Sequence, residues 1–338
     1  MRVLITGGAG FIGSHTVSRF CDAGFVVTVV DNLTTGHESN LEHVGQKANL
    51  RFVRGDIRDT ELMDQLVKDS DVVVHLAAMA SVPETVAHPL ESEAINSTAT
   101  LQLLQSARQH KLKRFVFASS AAVYGNSTVI PQTESLPVQP LSPYALQKQN
   151  GERYAQLYWQ LYKLPTVALR FFNVFGPRQR PDSAYSGVIS RFGEAFALGR
   201  SPVIFGDGTQ SRDFVFVTNV VEAIWLAATG STDQVAGEVF NVGSGESISL
   251  LDLLKQFETI TGRNLIPNRQ PTRAGDVRDS RSDLKHAQEG LGYRCVTNWR
   301  DGLARTWDYF ESLVPRDPVL IGSGSGSGTE HSQQCQKH

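Results

Sequence analysis

The chain has 338 residues, of which 41% are hydrophobic and 20% charged, and its formal net charge is −2. That length can bury a large core and suits one large domain with a smaller lobe, while charge this close to neutral gives no reason to expect nucleic acid or a membrane surface as a partner. Cys21, Cys295 and Cys335 are few, odd in number and far apart, so no disulfide framework follows and a reducing, cytoplasmic setting is the simplest expectation.

Residues 2–6 (RVLIT) run directly into a glycine turn, so the first residues are expected to belong to the fold rather than to a leader. Further apolar runs follow at 25–30, 50–55, 71–77, 114–119 and 166–171, with the length and Val/Ile/Phe content of buried parallel strands. Between them, amphipathic stretches at 11–23, 60–68, 91–109 and 144–162 predict helices. This alternation predicts an α/β fold over about residues 1–175, a Rossmann-type doubly wound parallel sheet with helices on both faces. After residue 175 Gly and Pro become frequent, strands shorten, and helical segments at 185–198, 217–229, 249–260 and 299–311 stand apart. A smaller, mixed α/β substrate lobe over 176–315 is expected. Ligands of such sheets bind beyond the carboxyl ends of the strands, on the side of that lobe. The GSGSGSG run at 322–328 reads as flexible linker, which leaves residues 320–338 outside the fold.

ITGGAGFIGSH (5–15) follows the first strand and opens the first helix. Gly7 permits a tight turn, Gly10 lets a pyrophosphate approach the backbone, and Gly13 lets the helix pack on the strand. The free N–H groups of the helix start would meet the phosphates. Asp31 ends the second strand, where a carboxylate accepts from the ribose hydroxyls of a dinucleotide and repels a 2′-phosphate, so NAD is expected rather than NADP. An N-cap aspartate in a turn is the plain alternative. Asp56 could lie near the adenine or be a solvated loop acid.

Tyr144 and Lys148 are one helical turn apart and share a face. A tyrosine ionises near pH 10, and a neighbouring ammonium, together with the positive nicotinamide ring, favours the phenolate, bringing it towards use as a base. Taken alone, the pair also reads as an amphipathic helix with one snorkelling lysine. The strand ending in Ser119-Ser120 can aim a hydroxyl at the same substrate oxygen. With the nucleotide loop, the strand-end serine and the Tyr/Lys pair in this order, the chain resembles the extended short-chain dehydrogenase/reductases, and within them the nucleotide-sugar 4-epimerases, from Met1 to about Phe310.

That resemblance implies Ser120, Tyr144 and Lys148 as catalytic residues. It implies Phe11, Ile12, Asn32, Ile57, Leu76, Ala77 and Ala78 as cofactor contacts beside Gly7, Gly10, Gly13, Asp31 and Asp56. Related 4,6-dehydratases carry Asp and Glu where this chain has Ala121 and Ala122, and two methyl groups cannot move protons for an elimination. The resemblance also implies a substrate set. Asn173 contacts the sugar diphosphate, Arg212 and Arg273 fork onto it, and Asp276 accepts from a ribose hydroxyl. Phe205 lies beside the uracil or in the core, and Ala80, Ser81, Gly187, Val188 and Ser280 fall at pocket positions. Small residues there imply room for the 2-acetamido group of UDP-GlcNAc and UDP-GalNAc, alongside UDP-Glc and UDP-Gal. Arg180 departs from the acidic residue that relatives often carry. The implied reaction is reversible oxidation at C4 through a 4-ketose, with a homodimer formed through 91–109 and 144–162 and no metal. The alternatives are a redox or decarboxylating relative using the same site and a silent nucleotide-binding sensor.

Overall fold

A computed structural model describes residues 1–44, 49–179, 187–272 and 278–313. The six expected strands form as β1 (Arg2–Thr6), β2 (Val26–Asp31), β3 (Leu50–Arg54), β4 (Val72–His75), β5 (Arg114–Ser120) and β6 (Thr166–Phe171). All pair in parallel, in the order β6-β5-β4-β1-β2-β3. The chain therefore runs outward from β1 through β3, then returns to the other side of β1 as β4. The carboxyl ends of β1 and β4 flank the point where strand order reverses, the usual crevice of a doubly wound sheet.

Alternation along the buried strands divides the core between two faces. Val3, Ile5, Val27, Val29, Val72 and Val74 pack on one side, with Phe20 of α1 (Phe11–Asp22). Leu4, Val30, Val73, Phe115 and Phe117 pack on the other, with Met63 of α2 (Thr60–Lys68). Two short helices, α3 (Val82–Ala87) and α4 (Pro89–Glu93), precede α5 (Ala99–Gln109), and α6 (Pro143–Tyr162) lies over β5 and β6. The expected helix at 91–109 is interrupted, because Ala94–Thr98 forms a five-residue π-helical turn between α4 and α5.

The chain beyond 176 contributes to both parts of the molecule. Val239–Val242 pairs in parallel with β6 as a seventh sheet strand, and helix Val217–Thr229 packs against α1. The seventh strand was not legible because EVFNVG is short and carries Asn241 at its centre. Tertiary contacts make that asparagine affordable: its Nδ2 donates to Gln132 O at 2.9 Å and its Oδ1 accepts from Tyr124 at 2.7 Å. A separate hydrophobic cluster gathers Phe175, Phe192, Phe196, Phe214, Phe216, Phe257 and Trp299, and the described residues also hold three two-stranded sheets. No helix among the described residues is long and apolar enough to cross a membrane.

Candidate active site

The glycine loop closes the crevice between β1 and β4. Gly7 has φ of 70°, and a Cβ there would stand 2.8 Å from Ala77 N, so a side chain is excluded both by conformation and by the strand-end opposite. A Cβ on Gly13 would lie 2.0 Å from Gly7 O, so α1 approaches the loop as closely as backbone allows. Gly10 is the N-cap of α1, with no side-chain cap and no acid in the first turn. That leaves the helix start, including Phe11 and Ile12, shaped for an anion. Asp31 is buried at the end of β2. Its carboxylate accepts from Ala9 N at 3.0 Å and Leu33 N at 2.8 Å, while burial pushes its pKa up against those two bonds. It thus caps a turn and also stands beside the glycine loop, with acceptor capacity left for a ligand hydroxyl. The residues present fit a dinucleotide.

Asn32 and Asp56 meet at the ends of β2 and β3, with Asn32 Nδ2 donating to Asp56 Oδ2 at 3.0 Å. Arg58 forks onto the same carboxylate at 2.9 and 2.8 Å, and these bonds hold Asp56 well below the usual carboxylate range. Asp56 is therefore an ordered edge of the crevice rather than a free loop acid. Ile57 beside it is buried in the core.

The segment Leu76–Ser81 is held from behind by polar groups that carried no functional reading in the sequence. Thr100 Oγ1 donates to Asn96 O at 2.7 Å, so it accepts from His75 Nε2 at 3.0 Å. The other ring nitrogen, Nδ1, then accepts from Thr6 Oγ1 at 2.8 Å, and that oxygen accepts in turn from Leu76 N and Ala77 N. Burial, then the Lys148 charge, lower the His75 pKa to about 3, which keeps it neutral as this chain of bonds requires. Asn96, in the π-turn, bonds Met79 N at 2.8 Å and Met79 O at 3.0 Å, and donates to Gln147 Oε1 at 2.7 Å. It joins the loop carrying Ala77, Ala78, Ala80 and Ser81 to the helix carrying Lys148. The available signal was the polar run NST (96–98) inside an otherwise amphipathic helix. Ser81 caps α3 by accepting from Glu84 N at 3.2 Å, and Ala80 is exposed.

Ser142 caps α6 by accepting from Ala145 N at 3.2 Å, and Pro143 starts the helix, so Tyr144 and Lys148 fall in its first two turns. Gly151 lets α6 settle on β5, since a Cβ there would be 2.2 Å from Phe117 Cζ. Lys148 is buried, with Nζ donating to Ala118 O at 2.8 Å and lying 5.8 Å from the Tyr144 ring centroid. The two strand-end serines are divided. Ser119 is buried and donates to Glu152 Oε1 at 2.5 Å, whereas Ser120 caps the short helix Ala121–Tyr124 by accepting from Ala122 N at 3.2 Å and lies near the Tyr144 phenol.

Burial raises the Tyr144 pKa from its ordinary value near 10, and the nearby Ser120 hydroxyl opposes that shift. The expectation of a lowered pKa joins the Lys148 ammonium with the positive nicotinamide ring, a charge that the protein alone does not supply. The lysine is itself shifted down to about 8 by burial, with Glu152 acting to raise it. Burial disfavours the charged form of both the half-buried phenol and the buried ammonium, and charges facing them offset that cost.

In the chain beyond 176, Asp213 is fully buried and organises three of the expected substrate residues. Its carboxylate accepts from Ser244, Gly245 and Ser282 N–H groups and from the Ser244 and Ser282 hydroxyls at 2.5–3.1 Å. Its backbone carbonyl accepts from Asn173 Nδ2 at 3.1 Å, and its N–H donates to Ser280 Oγ at 3.2 Å. Arg212 precedes it, with Nη1 donating to Ser211 O and Arg278 O at 2.9 Å. Asn173, Arg212 and Ser280 are therefore brought together, with Ser280 buried. Phe205 is half-buried, its carbonyl accepting from Gln210 Nε2 at 2.6 Å. Gly187 and Val188 open helix Val188–Ala197. Arg273, Asp276 and Arg180 lie outside the described residues.

Arg178, at φ 69°, fastens its loop to the cofactor side. Its Nη2 donates to His15 Nδ1 at 2.6 Å and its Nη1 to Asn40 O at 3.0 Å, while His15 Nε2 donates to Pro177 O at 2.9 Å. Burial and then the Arg178 charge lower His15 to about 4, keeping the ring a neutral acceptor. Among the described residues no cluster of three or more His, Cys, Asp or Glu could hold a metal ion.

Residues 3–243 match the sequence profile described as "NAD dependent epimerase/dehydratase family". A UDP-glucose 4-epimerase of Mycolicibacterium smegmatis is 38% identical over 314 residues, covering 92% of this chain and 99% of that one. A UDP-N-acetylglucosamine 4-epimerase from Methanobrevibacter ruminantium, solved with UDP-N-acetylmuramic acid, is 37% identical with a TM-score of 0.88, covering 93% of this chain and 99% of that one. A UDP-glucuronic acid 4-epimerase from Bacillus cereus, solved with UDP-glucuronic acid and NAD, is 32% identical with a TM-score of 0.86, covering 93% of this chain and 100% of that one.

Proposed function

Because the chain belongs to the NAD dependent epimerase/dehydratase family, we propose that it is an NAD-dependent UDP-hexose 4-epimerase. UDP-GlcNAc and UDP-GalNAc are its substrates, together with UDP-Glc and UDP-Gal. The observation that carries this reading is the Tyr144 phenol with the buried Lys148 one turn on and the strand-end Ser120 nearby, followed by two alanines. The hydroxyl and the phenol can address one sugar oxygen, and nothing in Ala121 or Ala122 can carry the proton transfers of an elimination.

As a phenolate stabilised by the Lys148 ammonium and the nicotinamide charge, Tyr144 takes the proton of the 4-hydroxyl, while Ser120 shares the hydrogen bond at that oxygen. Held by the glycine loop and Asp31, NAD when bound would supply the hydride acceptor and donor for C4 and would end unchanged. Arg212 and Arg273 hold the diphosphate and Asp276 the ribose, with Asn173 beside them. A firm hold on the nucleotide and a loose one on the hexose let the 4-ketose turn over between the two hydride steps. Small side chains at Ser280, Gly187, Ala80 and Ser81 leave volume for a 2-acetamido group. Empty volume discriminates weakly against the smaller sugar, by about 1–3 kcal/mol. The working unit is a homodimer formed through α5 and α6.

Incubation with UDP-GlcNAc and no added NADH should give UDP-GalNAc at equilibrium. Accumulating NADH or a 6-deoxy product would instead favour a redox or dehydrating relative, and exclusive turnover of UDP-glucuronate would overturn the hexosamine assignment. Tyr144→Phe should lower kcat by about a hundredfold or more while UDP-sugar binding, read by calorimetry, persists. Unchanged turnover in that variant would remove Tyr144 from the chemistry.

A further inference from the structure

The catalytic steps leave unused a buried charge pair next to the site. Glu152 is 2% exposed and Arg170 5%, and they meet in a fork, Nε on Oε1 and Nη2 on Oε2, both at 2.8 Å. Burying two such ions costs several kcal/mol each before their attraction is counted, and well-packed apolar residues often do as well. Stability is therefore a weak reason for the pair, and its location suggests another. Glu152 lies one turn beyond Lys148 and two beyond Tyr144, on the same face of α6. Its Oε1 also accepts from Ser119, the residue before Ser120, and Ser119 pairs with Arg170 in the register of β5 and β6. Arg170 continues to Tyr124 OH at 3.0 Å, which donates to Asn241 in the seventh strand.

We propose that Glu152 is a positioning residue for the reaction: its carboxylate ties the strand end bearing Ser120 to the helix bearing Tyr144 and Lys148, and supplies the negative charge that Lys148 faces from within the fold. Lys148 meets Tyr144 and Glu152 from its own helix, His75 from β4, the Ala118 carbonyl from β5, and Arg170 of β6 beyond Glu152, with Tyr124 and Glu134 farther along that network. His75 is neutral and adds no charge. Glu152 is the charge that opposes the loss of the Lys148 proton, alongside the Ala118 carbonyl that accepts from Nζ, while burial favours that loss. Removing the carboxylate should thus move the Lys148 titration to lower pH.

The effect on turnover rests on the epimerase reading; the effect on Lys148 does not. Glu152→Gln retains an acceptor for Ser119 and removes the charge, but leaves Arg170 buried and unpaired. A second variant, Glu152→Gln with Arg170→Met, removes both charges. Lys148 is followed by NMR in protein labelled with ¹³C at lysine Cε, its signal assigned by loss in Lys148→Met, and kcat for UDP-GlcNAc is measured against pH. The Lys148 titration and the alkaline limb of kcat should move down together, by about one pH unit in Glu152→Gln and about half that in the double variant, where the opposing Arg170 charge is also gone. KM should change by less than about twofold, since Glu152 touches no substrate. An unshifted Lys148 titration in the double variant with native circular dichroism overturns the proposal, whatever the single variant does. A protein without epimerase activity whose Lys148 still shifts would reject the functional reading and support the role of Glu152.

Discussion

At the scale of single residues, most of the site works through neutral forms held by burial. His75 is the clearest case, because both ring nitrogens are committed, one as donor to Thr100 and one as acceptor from Thr6. Its folded pKa, about 3, lies below the unfolded value of 6.5, so the unfolded chain binds the extra proton between those limits. Stability from this group is complete above about pH 6.5 and is lost as pH falls towards 3. Acidification from pH 7 to pH 5 should cost about 2 kcal/mol through His75 alone, and His75→Gln should flatten that part of a denaturant-derived stability profile. An identical acid slope in the variant would mean that the ring takes its proton without disrupting Thr6 and Thr100. The sequence distinguished neither this histidine nor Glu152, because each depends on partners that lie 18 to 69 residues away in the chain. Tyr144 and Lys148 were legible because their relation is local, one helical turn.

At the scale of elements, the decisive joint is α6 on β5. Gly151→Ala would raise helix propensity by about 1 kcal/mol on an exposed surface. Here the new Cβ would meet the Phe117 ring at 2.2 Å, a contact that must displace either the ring or the helix. The expected net effect is destabilisation of about 1–3 kcal/mol in urea unfolding. A fall in kcat should accompany it, because Tyr144 and Lys148 ride on the same helix. A variant as stable and active as the parent would show slack in that joint. The strands and most helices could be read from period and length, since β1, β2, β4, β5 and β6 are largely buried, the edge strand β3 keeps an apolar Leu50, Phe52 and Val53, and most helices show one apolar side. The π-turn at Ala94–Thr98 could not, because one extra residue per turn hardly alters an amphipathic pattern, while it changes what Asn96 can reach.

At the scale of the whole molecule, α6 presents Leu146, Leu157 and Leu161 to solvent at 48%, 42% and 61% exposure. Their spacing of eleven and four residues puts them on one face, the side on which the proposed homodimer would close. Sedimentation should give a dimer for the parent, and Leu157→Glu with Leu161→Glu should give a folded monomer. A monomeric parent would rule out the α5 and α6 interface. The two parts of the chain are also less separate than composition suggests, since Val239–Val242 completes the sheet and Arg178 fastens its loop to α1 and Asn40. The sequence by itself determined the parallel sheet, the glycine turn at the head of α1 and the Tyr144–Lys148 pair, because hydrophobic period, glycine conformation and helical spacing are properties of neighbours along the chain. Only the tertiary structure decided that Ser119 turns inward to Glu152 and that Asn96 and Asp213 tie distant loops together. Those outcomes depend on bonds between distant segments, which no local pattern carries.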